Sequence, residues 1–140
     1  MKPLAYFTVP ALLTLAFVAH PASGSPDAEG AAIEVANQWL GLVDSSRFAE
    51  SWQQAASLFR ETVSEAQWET AVSAARRPLG TLISRSVRGS RYTESLPGAP
   101  DGRYVVIQYD AVFPHKKAAI ETVTPMYEDG VWKVAGYYIK

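Results

Sequence analysis

The chain has 140 residues, 13 basic and 14 acidic side chains, a formal net charge of −1 and no cysteine. The near-balance of charge argues against nucleic acid as a partner, which requires a basic excess. The missing cysteine excludes thiol nucleophiles, disulfides and a lipid anchored through a cysteine.

The first 24 residues predict a cleavable signal peptide. Lys2 supplies the positive start, Leu4 through Ala19 form an apolar run interrupted by Pro10, and Ala22-Ser23-Gly24 supply the small residues of a cleavage site. The cut is expected before Ser25, with the bond after Ala22 as second choice. A run of about 16 residues is shorter than the roughly 20 a spanning helix needs. Residues 25–140 are therefore expected as one periplasmic or secreted α+β domain with no membrane anchor, its net charge −2 once Lys2 is lost.

Asp27 is placed to cap a first helix, in which Ala32, Ala36, Trp39, Leu40 and Val43 recur at helical spacing. Ser46 follows as the cap of a second helix carrying Phe48, Trp52, Ala55, Ala56 and Phe59 on one stripe. Ser64 and Gln67 have the spacing of a capping box for a third, with Trp68, Ala71, Val72 and Ala75 on its apolar face. Arg76 and Arg77 complement the dipole of its last turn, and Pro78 and Gly80 stop it.

The period then changes to that of strands. Thr81–Tyr92 places Ile83, Arg85 and Val87 on one side, with a bulge expected at Gly89. Tyr104–Phe113 alternates clearly, Val105, Ile107, Tyr109, Ala111 and Phe113 facing one way and Tyr104, Val106, Gln108, Asp110 and Val112 the other. A turn over residues 114–117 leads into Ala118–Tyr127. Asp129-Gly130 then predicts a tight hairpin into Val131–Ile139, with Trp132, Val134, Gly136 and Tyr138 on one face. Three helices followed by a four-stranded antiparallel sheet make an α+β layer. The order resembles the cone-like fold of nuclear transport factor two, with a cystatin-like arrangement as the alternative. Eight acids against two arginines over residues 25–75, and six arginines against two acids over 76–103, fit acidic helices packed beside an arginine-bearing strand.

Trp39, Asp44, Trp52, Phe59, Trp68, the run Arg77-Pro78-Leu79-Gly80, the loop 97–102, Glu121 and the ending from Gly130 to Tyr137 together resemble the exported bacterial family known as domain of unknown function 4019. That resemblance implies an envelope or secreted protein and brings no activity and no catalytic residues.

The residues offer little catalytic inventory. His115, the one histidine beyond the signal segment, sits in a Pro-His-Lys-Lys turn where two lysines repel a cation, so no metal site is expected. No phosphate loop, dinucleotide fingerprint or nucleophile elbow is present, and no cofactor is expected. Enzymes on the cone-like fold, ketosteroid isomerase among them, use a carboxylate and tyrosines inside the cone. By that likeness Glu121, Asp110, Asp44 and Tyr137 are the catalytic candidates, and Arg85 and Tyr109 the ligand-binding ones. The competing structural reading pairs Glu121 with Arg85 across the sheet, makes Asp44 a cap between helices and makes the tryptophans core anchors. The expected function is an exported domain that binds a small ligand or an envelope partner through a pocket or sheet face. The alternative is a cofactor-free lyase or isomerase using a carboxylate in the cone. Tyr104, Val106 and Val112 on the second face of the central strand raise the expectation of a homodimer.

Overall fold

The computed structural model describes residues 26–140, so the expected signal segment lies outside the described residues. Helix α1 spans Pro26–Asp44, α2 Phe48–Gln53, α3 Ser57–Thr62 and α4 Glu65–Arg76, followed by a 3-10 turn over Arg77–Leu79. Strands β1 (Ser84–Thr93), β2 (Tyr104–Phe113), β3 (Lys116–Glu128) and β4 (Val131–Ile139) form one antiparallel sheet in the order β1-β2-β3-β4. Sequential strands joined by tight turns pair in this way because each hairpin brings its two strands into immediate register. No helix among the described residues is long and apolar enough to cross a membrane.

Several local expectations are corrected. The second expected helix is two helices. Ala55 and Ala56 are fully buried, and the Ala56 N–H donates to the Val134 carbonyl of β4 at 2.8 Å, a contact incompatible with a continuous helix. Ser46 caps nothing: it lies at φ 60°, and Arg47, at the start of α2, makes no side-chain cap. Asp27 falls within the first turn of α1 rather than before it. The capping box at Ser64 forms in both directions, Ser64 Oγ accepting from the Gln67 N–H and the Gln67 side chain accepting from the Ser64 N–H. Ala75 is exposed, and Arg76 continues the buried stripe of Trp68 and Val72 instead.

The sheet has three register irregularities, one of them between Ala111 and Phe113 where β2 meets β3; the other two bear on which side chains enter the cone. In β1 the irregularity falls at Arg88, between the pairs Val87–Tyr109 and Gly89–Gln108, one residue before the position expected. In β4 the pairs Thr124–Gly136 and Pro125–Val134 leave Ala135 as an extra residue. A bulge of this kind reverses the alternation beyond it. Trp132 and Val134 therefore share the helix-facing side with Tyr137 and Ile139, not with Gly136 and Tyr138.

Trp39, Phe59, Trp68 and Tyr137 form the centre of the core, Trp39 lying 5.7 Å from Trp68 and 5.6 Å from Tyr137 between ring centres. Three indole N–H groups are satisfied within the helical layer. Trp39 Nε1 donates to the Ser51 carbonyl and Trp68 Nε1 to the Ser51 hydroxyl, at 2.8 and 2.9 Å. Half-buried Trp52 donates to the Val63 carbonyl at 2.8 Å. On the opposite face of the sheet, Leu96 and Ala99 of the β1–β2 loop cover Tyr104 and Val106, and the Tyr104 hydroxyl donates to the Pro100 carbonyl. These two residues are therefore not the exposed patch that motivated a dimer; the chain covers them itself.

Candidate functional site

One polar network sits between α1, α4 and the concave face of the sheet. Asp44 ends α1 and Arg76 ends α4, while Arg85, Glu121 and Tyr137 come from β1, β3 and β4. The register brings the strand residues together: Arg85 lies opposite Ala111, Glu121 opposite Tyr109, and Tyr137 opposite Val123.

Arg85 is the hub. Its Nε donates to Glu121 Oε1 at 2.7 Å and its Nη2 to Glu121 Oε2 at 3.2 Å. The far side of the same guanidinium donates to Asp44, Nη1 to Oδ2 at 2.7 Å and Nη2 to Oδ1 at 2.9 Å. Arg76 Nη2 adds a third bond to Asp44 at 2.8 Å, and its Nη1 lies 3.8 Å from Glu121 Oε2. The Tyr137 hydroxyl donates to Glu121 Oε2 in a short hydrogen bond. Two carboxylates and two guanidiniums cancel, which is the condition under which charges survive burial.

Burial grades across the network. Glu121 is 0% exposed and Arg76 7%, while Asp44 keeps 21%. Burial opposes the charge of Asp44, but hydrogen bonds from Arg85 and then Arg76 outweigh it and hold its pKa below the ordinary carboxylate value. Burial likewise opposes the Arg85 charge, and the bonds to Asp44 and Glu121 overcome it and raise its pKa. Burial first, then the neighbouring Glu121 carboxylate, push the Tyr137 phenol well above its usual value. Burial pushes Tyr109 up to about 12, and its hydroxyl donates to Asn37 Oδ1 at 2.7 Å.

The structure thus brings together five of the six sequence candidates: Asp44, Arg85, Tyr109, Glu121 and Tyr137. Asp110 is not among them. It lies on the convex face, exposed, and pairs with Arg88 at 3.2 Å. Asp44 is no simple cap, since both its oxygens are held by arginines. His115 is an exposed turn residue, and no group of three or more metal-ligating side chains occurs among the described residues. Arg76 and Asn37 were missed. Arg76 had a legible trace, because Trp68, Val72 and Arg76 recur every four residues. Its guanidinium lies 4.9 Å from the Phe113 ring centre, so the stripe ends in a cation that packs as an apolar residue would.

A family model described as protein of unknown function (DUF4019) matches residues 35–137. The chain belongs to this family. The DUF4019 match spans the network and the tryptophan core entire. Among curated proteins no sequence relative is found. Of solved structures, Aln2 from a Streptomyces species superposes with a TM-score of 0.53 at 12% identity, covering 84% of this chain and 92% of Aln2. At that identity the likeness carries the fold alone, and that fold is the α+β, cone-like arrangement of nuclear-transport-factor-two-like proteins.

Proposed function

We propose that this DUF4019 protein is a non-catalytic binding domain working in the periplasm or outside the cell, its cone braced from within and its contacts made on the outside. The observation that carries this reading is the state of the two cone carboxylates. A general base needs a lone pair within hydrogen-bond reach of a substrate proton. Glu121 is fully buried and already accepts from Arg85 twice and from Tyr137. Asp44 accepts three N–H groups from two arginines. The cluster is charge-neutral and both of its carboxylates are fully engaged, as a structural brace requires, while Arg76 Nε and Nη1 are buried without a hydrogen-bond partner. Structural ion-pair networks shift pKa values just as catalytic ones do.

The test is a pair of measurements on the full chain purified from an exporting host. Thermal-shift screening against small-molecule and peptide panels is expected to give binders that survive in Glu121→Gln and Tyr137→Phe. The lyase or isomerase alternative predicts a substrate that is consumed, with turnover falling about a hundredfold or more in Glu121→Gln, the size of a general-base contribution. That result would replace the binding reading.

A further inference from the structure

The outer face of α4 carries a shallow, wide-open groove of about 510 Å³ beside the start of α2. The inner stripe of α4 is Trp68, Val72 and Arg76, buried against the core. The adjoining stripe of Glu69, Thr70, Ser73 and Arg77 lines the groove, and Phe48, only 7% exposed, adds an apolar wall. We propose that this groove binds a short peptide with free amino and carboxyl ends, held along α4 with its ammonium at Glu69 and its carboxylate at Arg77. The proposal rests on the binding-domain reading above and names the ligand class and the place.

Charge carries it. Asp44 and Glu121 are taken up by Arg76 and Arg85, and Arg47–Glu50, Arg88–Asp110 and Glu128–Lys133 are paired on the surface. What sets Glu69 and Arg77 apart from other unpaired surface charges is that the two, of opposite sign, share one groove. Glu69 and Arg77 line the same groove, and neither side chain makes an ion pair or hydrogen bond among the described residues. Eight residues of helix separate their backbones by about 12 Å, and the two side chains form no ion pair with each other. An extended tripeptide spans about 10 Å between its termini, which matches once the Glu69 and Arg77 side chains lean inward. Its carboxylate suits the forked donors of a guanidinium, its central side chain meets Phe48, and its amides meet the hydroxyls of Thr70 and Ser73. A rigid helix as the backing element keeps these groups in fixed spacing.

The test is a titration of the ¹⁵N-labelled full chain with Ala-Leu-Ala, followed by amide shifts. Saturable changes confined to residues 69–78 and the Phe48 region are expected. N-acetylation and C-amidation of the peptide should each weaken binding about two- to fivefold, the worth of one exposed charge pair. Glu69→Gln should abolish the penalty of acetylation but not of amidation, and Arg77→Gln the reverse. Arg77 is exposed and Glu69 half-buried, and neither side chain is bonded, so the variants should keep the parent's unfolding midpoint. No saturable shift up to about 10 mM peptide, a concentration that detects even millimolar dissociation constants, overturns the site. Equal binding of free and end-blocked peptides overturns it as well. A failed titration without turnover removes this site and leaves the binding-domain reading standing. Turnover lost in Glu121→Gln removes that reading whatever the peptide does.

Discussion

Arg85 meets Glu121 side-on, Nε and Nη2 donating to the two carboxylate oxygens at 2.7 and 3.2 Å, and uses the remaining edge of its guanidinium for Asp44. The asymmetry of that arrangement makes the two partners unequal. Arg85→Ala removes two bonds from each carboxylate and leaves the fully buried Glu121 with the Tyr137 hydroxyl and a more distant Arg76, so it should cost about 3–5 kcal/mol, the range for breaking a buried ion pair. Glu121→Ala leaves Arg85 still bonded to Asp44 but deprives the buried Tyr137 hydroxyl of its acceptor, so its cost should be smaller without vanishing. The double variant should be more stable than the two losses summed, by about 0.5–3 kcal/mol. A double-mutant cycle in urea at neutral pH measures this, and strict additivity would show that the pair contributes no coupling.

Asp44 should set an acid limit on stability. Its folded pKa is depressed, with burial outweighed by the bonds from Arg85 and Arg76. Its contribution is therefore present above the unfolded carboxylate pKa, about 3.9, and is lost as pH falls through the lower folded value. Asp44→Asn should be clearly less stable than the parent at pH 6, and the gap should close below about pH 4. Urea midpoints collected across that range decide it. A gap that widened in acid would reverse the sign of the shift.

Ser51 holds two tryptophans. Its hydroxyl accepts from Trp68 Nε1 and donates to the Phe48 carbonyl at 2.6 Å, while its own carbonyl accepts from Trp39 Nε1. Ser51→Ala removes one atom and leaves the Trp68 N–H buried without a partner, which should cost about 1–3 kcal/mol. The Trp39 bond is to backbone and should survive. Chemical denaturation followed by tryptophan emission tests both points; an unchanged midpoint would mean the indole finds another acceptor.

The β3–β4 hairpin turns on Asp129 and Gly130, at φ 51° and 85°, the positive pair of a type I′ turn. No atom lies within 4 Å of a Cβ built at Gly130, so a substitution there meets backbone strain and nothing else. Gly130→Val should cost about 1–3 kcal/mol, and Gly130→Asn, which tolerates the left-handed region, clearly less. Equal midpoints for the two variants would separate the cost from the backbone angle.

Much of the fold was legible because it is written in local pattern. The capping box at Ser64, the alternation of β2, and the Asp129-Gly130 turn each depend on a few neighbouring residues, and each forms as read. The need of Glu121 for a partner could be read as well, since it sits between the buried Ala119 and Val123. The same reasoning pairs Arg85 with it, but the Arg85 neighbours Ile83 and Val87 are exposed, so its partial burial comes from the other elements packed on it. The break at Ala56 was not legible. Its cause is a hydrogen bond to Val134, 78 positions along the chain, and no local propensity encodes such a contact.

By itself the sequence determined the order of helices and strands, the tight hairpin and the demand that buried charges be paired, because period, turn chemistry and desolvation act on short stretches of chain. Tertiary structure alone decided how that demand was met. The bulge at Ala135 turns Tyr137 inward to Glu121, and the packing of α4 buries Arg76 beside Asp44. Strand alternation had already set Asp110 on the face opposite Tyr109, and helix docking on the Tyr109 side leaves it on the convex face with Arg88. A single extra residue in a strand inverts every side chain beyond it, so which carboxylate lies inside the cone depends on strand register and helix docking, and both are set by contacts between residues far apart in the chain.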